Sequence, residues 1–241
     1  MLKFGRRAAN AFIAVTAIAA LASPAMAQST LKAALHSDLK IIDPTWTTAL
    51  ISTNHGYMVY DTLFAKDEKL QIQPQMVDKW TVSDDKLTWT FTLRDGLEWH
   101  DGKPVTSEDC IASLKRWGAR DALGKMLLAD TVSLEPVDAK TFKLVLKEPF
   151  PLLLDVLGKP NAPLPAMMPA RLAATPADQR IPEPIGSGPF RFVKSEWRPG
   201  NQMVLERFAD YVPRKEKPDF LAGGKNVKID RLVLRVMPDQ S

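Results

Sequence analysis

Ser187 lies between two glycines in Gly186-Ser187-Gly188-Pro189, and a serine on a glycine turn is where nucleophilic hydrolysis would be sought first. That chemistry needs G-x-S-x-G, which exposes the hydroxyl on a strained turn between strand and helix. Here Gly186 directly precedes the serine and Pro189 follows the second glycine, so the spacing fails. The better reading is a tight turn whose glycines permit close backbone approach. Hydrolysis by Ser187 is kept as the alternative from a different functional class. Gly223-Gly224-Lys225-Asn226 suggests a phosphate-binding loop, but Asp219 stands where its first glycine belongs and Asn226 replaces the hydroxyl residue. His36, His55 and His100 are isolated, without zinc-ligand spacing, and His100 reads as part of a structural turn. Cys110 is the only cysteine, which excludes an intrachain disulfide. Among apolar positions of an expected helix it reads as buried core and not as a catalytic thiol. The residues thus point to no enzyme, no metal and no cofactor.

The elements that hold these residues follow from periodicity and turn chemistry. Residues 31–35 read as a first strand, and Ile41-Ile42-Asp43-Pro44 as an apolar anchor ending in a turn. Residues 49–64 have broadly helical spacing through Leu50, Tyr57, Tyr60, Leu63 and Phe64, and 74–80 read as a connector. Residues 80–82 and 87–93 form a hairpin around Ser83-Asp84-Asp85-Lys86. Asp95-Gly96 and Asp101-Gly102 are turns, and Thr106-x-x-Asp109 starts a helix running to about Trp117, with Ile111, Leu114 and Trp117 on its core stripe. Residues 131–137 and 141–146 make a second hairpin. Residues 149–169, rich in proline and apolar residues, read as either a strap clamped on the core or an exposed linker, the leucine and methionine content favouring the clamp, with a short helix over 152–157. Residues 190–197 and 202–208 are a third hairpin turning at 198–201, 213–225 a surface loop, and 227–236 a final strand. Trp80, Trp89 and Trp99 read as core packing on neighbouring strands. The fold class is α+β (mixed α/β), with more strand than helix.

The ends and the charge bound the setting. Lys3, Arg6 and Arg7 precede a short apolar stretch over 8–21 and an Ala25-Met26-Ala27 cleavage site, so 1–27 read as a signal peptide removed after Ala27. The chain carries 32 basic and 28 acidic residues, a net of +4, of which the signal supplies three. The remaining charges are interspersed, which excludes the basic stripe of a nucleic-acid binder.

Residues 88–110, TWTFTLRDGLEWHDGKPVTSEDC, resemble almost residue for residue the signature of the family 5 solute-binding proteins, the extracytoplasmic peptide and nickel receptors of bacterial ABC importers. Asp43-Pro44 resembles the family's early Asp-Pro, and Tyr60-Asp61-Thr62-Leu63-Phe64 its Tyr-x-x-Leu helix end. Pro74-Gln75-Met76-Val77-Asp78-Lys79-Trp80 is similar to Pro-x-Leu-Ala-x-x-Trp. Ile185-Gly186-Ser187-Gly188-Pro189-Phe190 is similar to its Gly-Thr-Gly-Pro-Tyr turn, and Asp210-Tyr211 to the Asp-Tyr before its last first-lobe strand.

The resemblance implies a periplasmic-binding-protein-like first lobe over 28–241, truncated at the crossover and without a second lobe. It also implies a monomer in the periplasm that binds a peptide or other small solute and delivers it to an ABC permease. Ligand contacts carry over to Trp46, Thr47, Thr48, Ala49 and Leu50 after the Asp-Pro, and to Lys125 and Met126 after the capped helix. At the first group the competing reading is that Thr47 and Thr48 cap the next helix; Lys125 reads first as a solvated lysine and only second as a cation for a ligand carboxylate. An interaction module, or a non-functional single-lobe remnant, completes the alternatives.

Overall fold

The computed structural model describes residues 28–237, so the expected signal peptide and its cleavage site lie outside the described residues. Two four-stranded sheets divide the work. The first contains β1 (Thr30–Leu35), β8 (Phe190–Phe192), β9 (Gln202–Arg207) and β10 (Arg231–Val236), in the order β1-β10-β9-β8. Its β1–β10 pair is parallel, Thr30 facing Arg231, and the remaining pairs are antiparallel. The second contains β4 (Val77–Val82), β5 (Thr88–Leu93), β6 (Thr131–Pro136) and β7 (Thr141–Leu146), ordered β4-β5-β7-β6 and wholly antiparallel. A small ribbon pairs β2 (Phe64–Lys66) with β3 (Ile72–Pro74).

The helices are α1 (Leu50–Val59), α2 (Ser107–Arg120), α3 (Ala122–Asp130), α4 (Leu153–Leu157) and α5 (Ala170–Ala173). α2 begins where the sequence says it should. The Thr106 hydroxyl accepts from the Asp109 N–H at 3.3 Å, and the Asp109 carboxylate accepts from the Thr106 N–H at 2.9 Å. This reciprocal box satisfies two helix-end donors. Asp109 also accepts from Trp99 Nε1 at 3.0 Å and from the Ala170 N–H at 2.7 Å, so the cap ties two distant loops to the helix. Cys110, Ile111, Leu114 and Trp117 are buried on one face, as the spacing predicts.

Two apolar cores result. One lies on the second sheet, around Phe64, Phe91, Trp99, Trp117, Phe142 and Leu153. The other lies on the first sheet, around Tyr60, Leu164, Met168, Met203, Leu205 and Leu234. The proline-rich strap feeds both: Met167 enters the first core while Leu164, Ala166 and Met168 enter the second, all fully buried. The expected clamp is real.

Several boundaries differ from the sequence reading. The helix expected over 49–64 stops at Val59, whose carbonyl accepts the Gly188 N–H, and the chain turns extended at Tyr60 to reach β2. The expected connector over 74–80 is mostly strand, because pairing with β2 and β5 supplies hydrogen bonds that local alternation does not announce. The third hairpin has a three-residue first strand followed by a 3₁₀ turn at Lys194–Glu196, and the final strand starts at Arg231. Trp99 is core but lies in the turn after β5; Trp80 and Trp89 are only half-buried.

α3 is an element the sequence did not suggest. Asp121 caps it by accepting from the Gly124 N–H at 3.0 Å. Gly124 is helical there because a Cβ would sit 2.8 Å from Gly118 Cα and 3.1 Å from the Trp117 ring. The residue that looks like a helix breaker is what lets α3 lie against α2.

Candidate functional site

Asp43 is the anchor. It is wholly buried, and its carboxylate accepts from Arg116 at 2.7 Å, from the Thr45 N–H at 3.1 Å and from the Ile181 N–H at 3.1 Å. Arg116, on α2, also donates to the carbonyls of Thr175, Pro176 and Gln179. The fork of a guanidinium suits this convergence of acceptors in a way a lysine point charge does not. Pro44 is held from the other side, its carbonyl accepting the Leu164 N–H at 3.0 Å.

From this anchor the chain emerges into solvent. Trp46, Thr47 and Ala49 are half-buried, Thr48 is exposed, and Leu50 is 64 % exposed. The N-cap position of α1 is Ala49, which has no side chain to cap with; Thr47 Oγ1 instead accepts from the Ala49 N–H at 3.2 Å. The expectation that Thr47 and Thr48 cap α1 is therefore corrected. Among the described residues, the main-chain N–H and C=O groups of Thr47 and Thr48 have no hydrogen-bond partner. Trp46 is fixed by Arg120, which donates to its carbonyl at 2.9 Å and lies 5.1 Å from its ring centroid; Arg180 lies 4.9 Å from the same centroid. Such contacts hold an aromatic ring by its electron-rich face.

Lys125 and Met126 are exposed on α3. No hydrogen bond or ion pair joins either of them to residues 46–50 among the described residues. The link is indirect, through the Gly118–Gly124 contact to α2 and through Arg120 at the end of α2. Sequence reasoning missed Arg116, Arg120 and Arg180. Their partners are far away in the chain, and an isolated arginine carries no local signal.

The glycine-serine turn does something other than catalysis. His100 donates its N–H to the Gly186 carbonyl at 2.9 Å, its Nδ1 accepts from the Gly186 N–H at 3.3 Å, and its Nε2 faces the Gly188 carbonyl at 2.9 Å. Nδ1 as acceptor assigns the proton to Nε2. Burial lowers the His100 pKa to about 4, which fits this neutral form. A Cβ on Gly186 would sit 2.0 Å from the Val59 carbonyl oxygen, so the turn docks bare backbone against the end of α1. Ser187 is 1 % exposed and its hydroxyl has no hydrogen-bond partner among the described residues. Among the described residues no base bonds to it, and the hydrolase alternative finds no support.

Gly223-Gly224-Lys225 is likewise a clamp. Lys225 donates to the buried Asp61 carboxylate at 2.6 Å, and Gln75 Nε2 to the Gly223 carbonyl at 3.0 Å. Burial raises the Cys110 thiol far above its usual range, as expected of core and not of a nucleophile. Among the described residues, no group of three or more His, Cys, Asp or Glu is placed to hold a metal, and no helix is long and apolar enough to cross a membrane.

The family model described as bacterial extracellular solute-binding proteins, family 5 Middle, matches residues 71–241. The chain belongs to this family. It is 42 % identical over 226 residues to a probable peptide ABC transporter periplasmic-binding protein of Sinorhizobium fredii, covering 94 % of this chain and 42 % of that protein. It is 29 % identical over 192 residues to the glutathione-binding protein GsiB of Salmonella typhimurium, covering 79 % of this chain and 36 % of that one. Among solved structures it resembles the A. tumefaciens binding protein AgaA in complex with agropinic acid (TM-score 0.68, 28 % identity, 86 % of this chain and 40 % of that chain). It also resembles the ABC transporter substrate-binding protein CtaP of Listeria monocytogenes (TM-score 0.69, 27 % identity, 88 % and 41 %). The family 5 chain thus spans about two fifths of the length of these relatives, and its described residues form a single partial lobe of the periplasmic-binding-protein fold.

Proposed function

We propose that this family 5 chain supplies the first-lobe face of a ligand cleft in a substrate-binding component of an ABC importer for peptides. Residues 46–50 form the ligand-facing segment, with Lys125 and Met126 at its margin. The observation that carries this reading is the segment itself: exposed at Thr48 and Leu50, with main-chain donors and acceptors at Thr47 and Thr48 that have no partner among the described residues, mounted on the buried Asp43–Arg116 anchor. An extended peptide can add to such an edge, taking affinity from main-chain hydrogen bonds without its side chains being read. The choice of peptides rests on the 42 % identical relative, named as a probable peptide-binding protein. In the complete receptor, ligand would stabilise a closed form by binding it more tightly than the open one. Export to the periplasm with cleavage after Ala27, and delivery to a membrane permease, belong to the same proposal.

The test is a titration of the isotopically labelled chain from Gln28 with short alanine peptides, followed by amide NMR. Shifts concentrated at residues 46–50 are expected, with smaller ones at Lys125 and Met126. Shifts confined to other surfaces, or none up to millimolar peptide, would refute the assignment.

A further inference from the structure

We propose that the ligand presents a carboxylate to the 46–50 segment and that Arg120 and Arg180 receive it. This deepens the reading above and rests on it. Both guanidiniums lie against the Trp46 ring, at 5.1 and 4.9 Å from its centroid, so the two charges are no more than about 10 Å apart. Among the described residues neither has a carboxylate within 4.0 Å, although Asp178 is only two residues from Arg180. The nearest acid of the anchor, Asp43, is already neutralised by Arg116.

Two like charges sharing one ring without a counter-ion repel each other. The fold tolerates this because both side chains are exposed to water. Arg120 uses one donor on the Trp46 carbonyl, and Arg180 makes no hydrogen bond to any described residue. Eight or more N–H donors therefore face solvent beside the free main-chain N–H groups of Thr47 and Thr48, counting five donors per guanidinium. A site so dominated by donors and positive charge is matched by an anion of planar, bidentate geometry, which a carboxylate provides.

Stacking on Trp46 also serves the arginines. It orients each fork while leaving its edges free, so less side-chain freedom is lost on binding. The exposed Leu50, four residues on from Trp46, offers apolar contact to the ligand's next residue.

The carboxylate can be a chain terminus or an acidic side chain, and three probes separate these sources: trialanine, trialanine amide, and Ala-Glu-Ala amide. Each is titrated into the labelled chain from Gln28, reading the Trp46 indole and the Thr47 and Thr48 amides. Trialanine, the Glu-containing amide, or both should bind about tenfold more tightly than trialanine amide, as expected for one charge-assisted pair. The advantage should shrink from low salt to about 0.5 M NaCl, because the pair is exposed. Arg180→Gln should abolish it, and it is the cleaner variant because Arg180 bonds to nothing in the fold; Arg120→Gln adds the loss of the Trp46 carbonyl bond. Lys103→Gln, on the turn before α2, should change nothing.

Equal binding of all three probes at residues 46–50 would overturn the carboxylate assignment while leaving the ligand-facing segment intact. So would an undiminished preference in Arg180→Gln and in the double Arg120→Gln, Arg180→Gln variant. Absence of perturbation at 46–50 by all three probes would overturn both this inference and the functional reading beneath it.

Discussion

Replacing Arg116 with Met tests whether the 46–50 segment is held by the buried ion pair. The Arg116 and Asp43 side chains are 1 % and 0 % exposed, and they meet at 2.7 Å. Met keeps most of the aliphatic stem but leaves the Asp43 carboxylate buried without its cation. It also strands the carbonyls of Thr175, Pro176 and Gln179. Breaking one side of a buried pair costs about 3–5 kcal/mol, because the surviving charge stays desolvated. The assay is urea unfolding of the chain from Gln28, followed by tryptophan fluorescence. Lys66→Met is the comparison, since the Lys66–Asp155 pair is 20 % and 52 % exposed and should contribute no more than about 1 kcal/mol. A domain of this size has roughly 5–15 kcal/mol in total, so Arg116→Met alone removes a large share of it. The double variant Asp43→Asn, Arg116→Met removes the stranded charge and should recover part of the loss. Hydrogen exchange at residues 46–50 should rise in both variants. If Arg116→Met costs no more than Lys66→Met, or the double variant is worse than the single, the anchor argument is wrong.

Two further predictions follow from the turn that docks on α1. Gly186→Ala forces a Cβ to 2.0 Å from the Val59 oxygen, a clash with backbone that cannot relax, whereas Gly102 has open space and only a φ of +78° against it. Gly186→Ala should therefore cost about 3 kcal/mol or more and Gly102→Ala about 1–2 kcal/mol; equal losses in urea unfolding would contradict the close approach. The second concerns acid. Burial lowers the pKa of His55 to about 3 and that of His100 to about 4, although the Ile42 backbone and the Gly188 carbonyl pull the other way. The unfolded chain therefore takes up protons below about pH 6.5 that the folded chain refuses, and stability falls as pH drops toward 4, by up to about 1.4 kcal/mol per pH unit per histidine. Denaturation midpoints unchanged between pH 7 and pH 5, or the same fall in a His55→Phe, His100→Asn variant, would show that other groups control the acid limb.

What the sequence announced and what it hid divide by distance along the chain. The Thr106–Asp109 box spans three residues, so its chemistry is written locally and the start of α2 was legible. The hairpin at 83–86 was equally plain, since its turn and both strands lie within 17 residues. α3 was not, because Gly124 is explained only by Gly118 and Trp117 packed against it. The first half of that hairpin's leading strand, residues 77–79, was hidden for a related reason: its order comes from β5, and the burial pattern there does not alternate cleanly. Arg116 reaches Asp43 across 73 positions, and nothing near either residue names the other.

The same rule explains why two motifs carried the family identity without revealing their use. Each read as a turn, one around His100 and one around Ser187, and each is a turn. Only the fold places His100 against Gly186 and Gly188, 86 and 88 positions away, where its ring and backbone close three hydrogen bonds on the second turn. That second turn then donates the Gly188 N–H to Val59 and ends α1. α1 begins at Leu50, the last residue of the proposed ligand segment. The signature residues therefore fix where α1 stops, and Asp43 with Arg116 hold the turn that precedes its start. On the proposed reading specificity falls to Trp46, Arg120 and Arg180, which lie far apart in the chain, so the sequence identifies the scaffold without announcing the ligand.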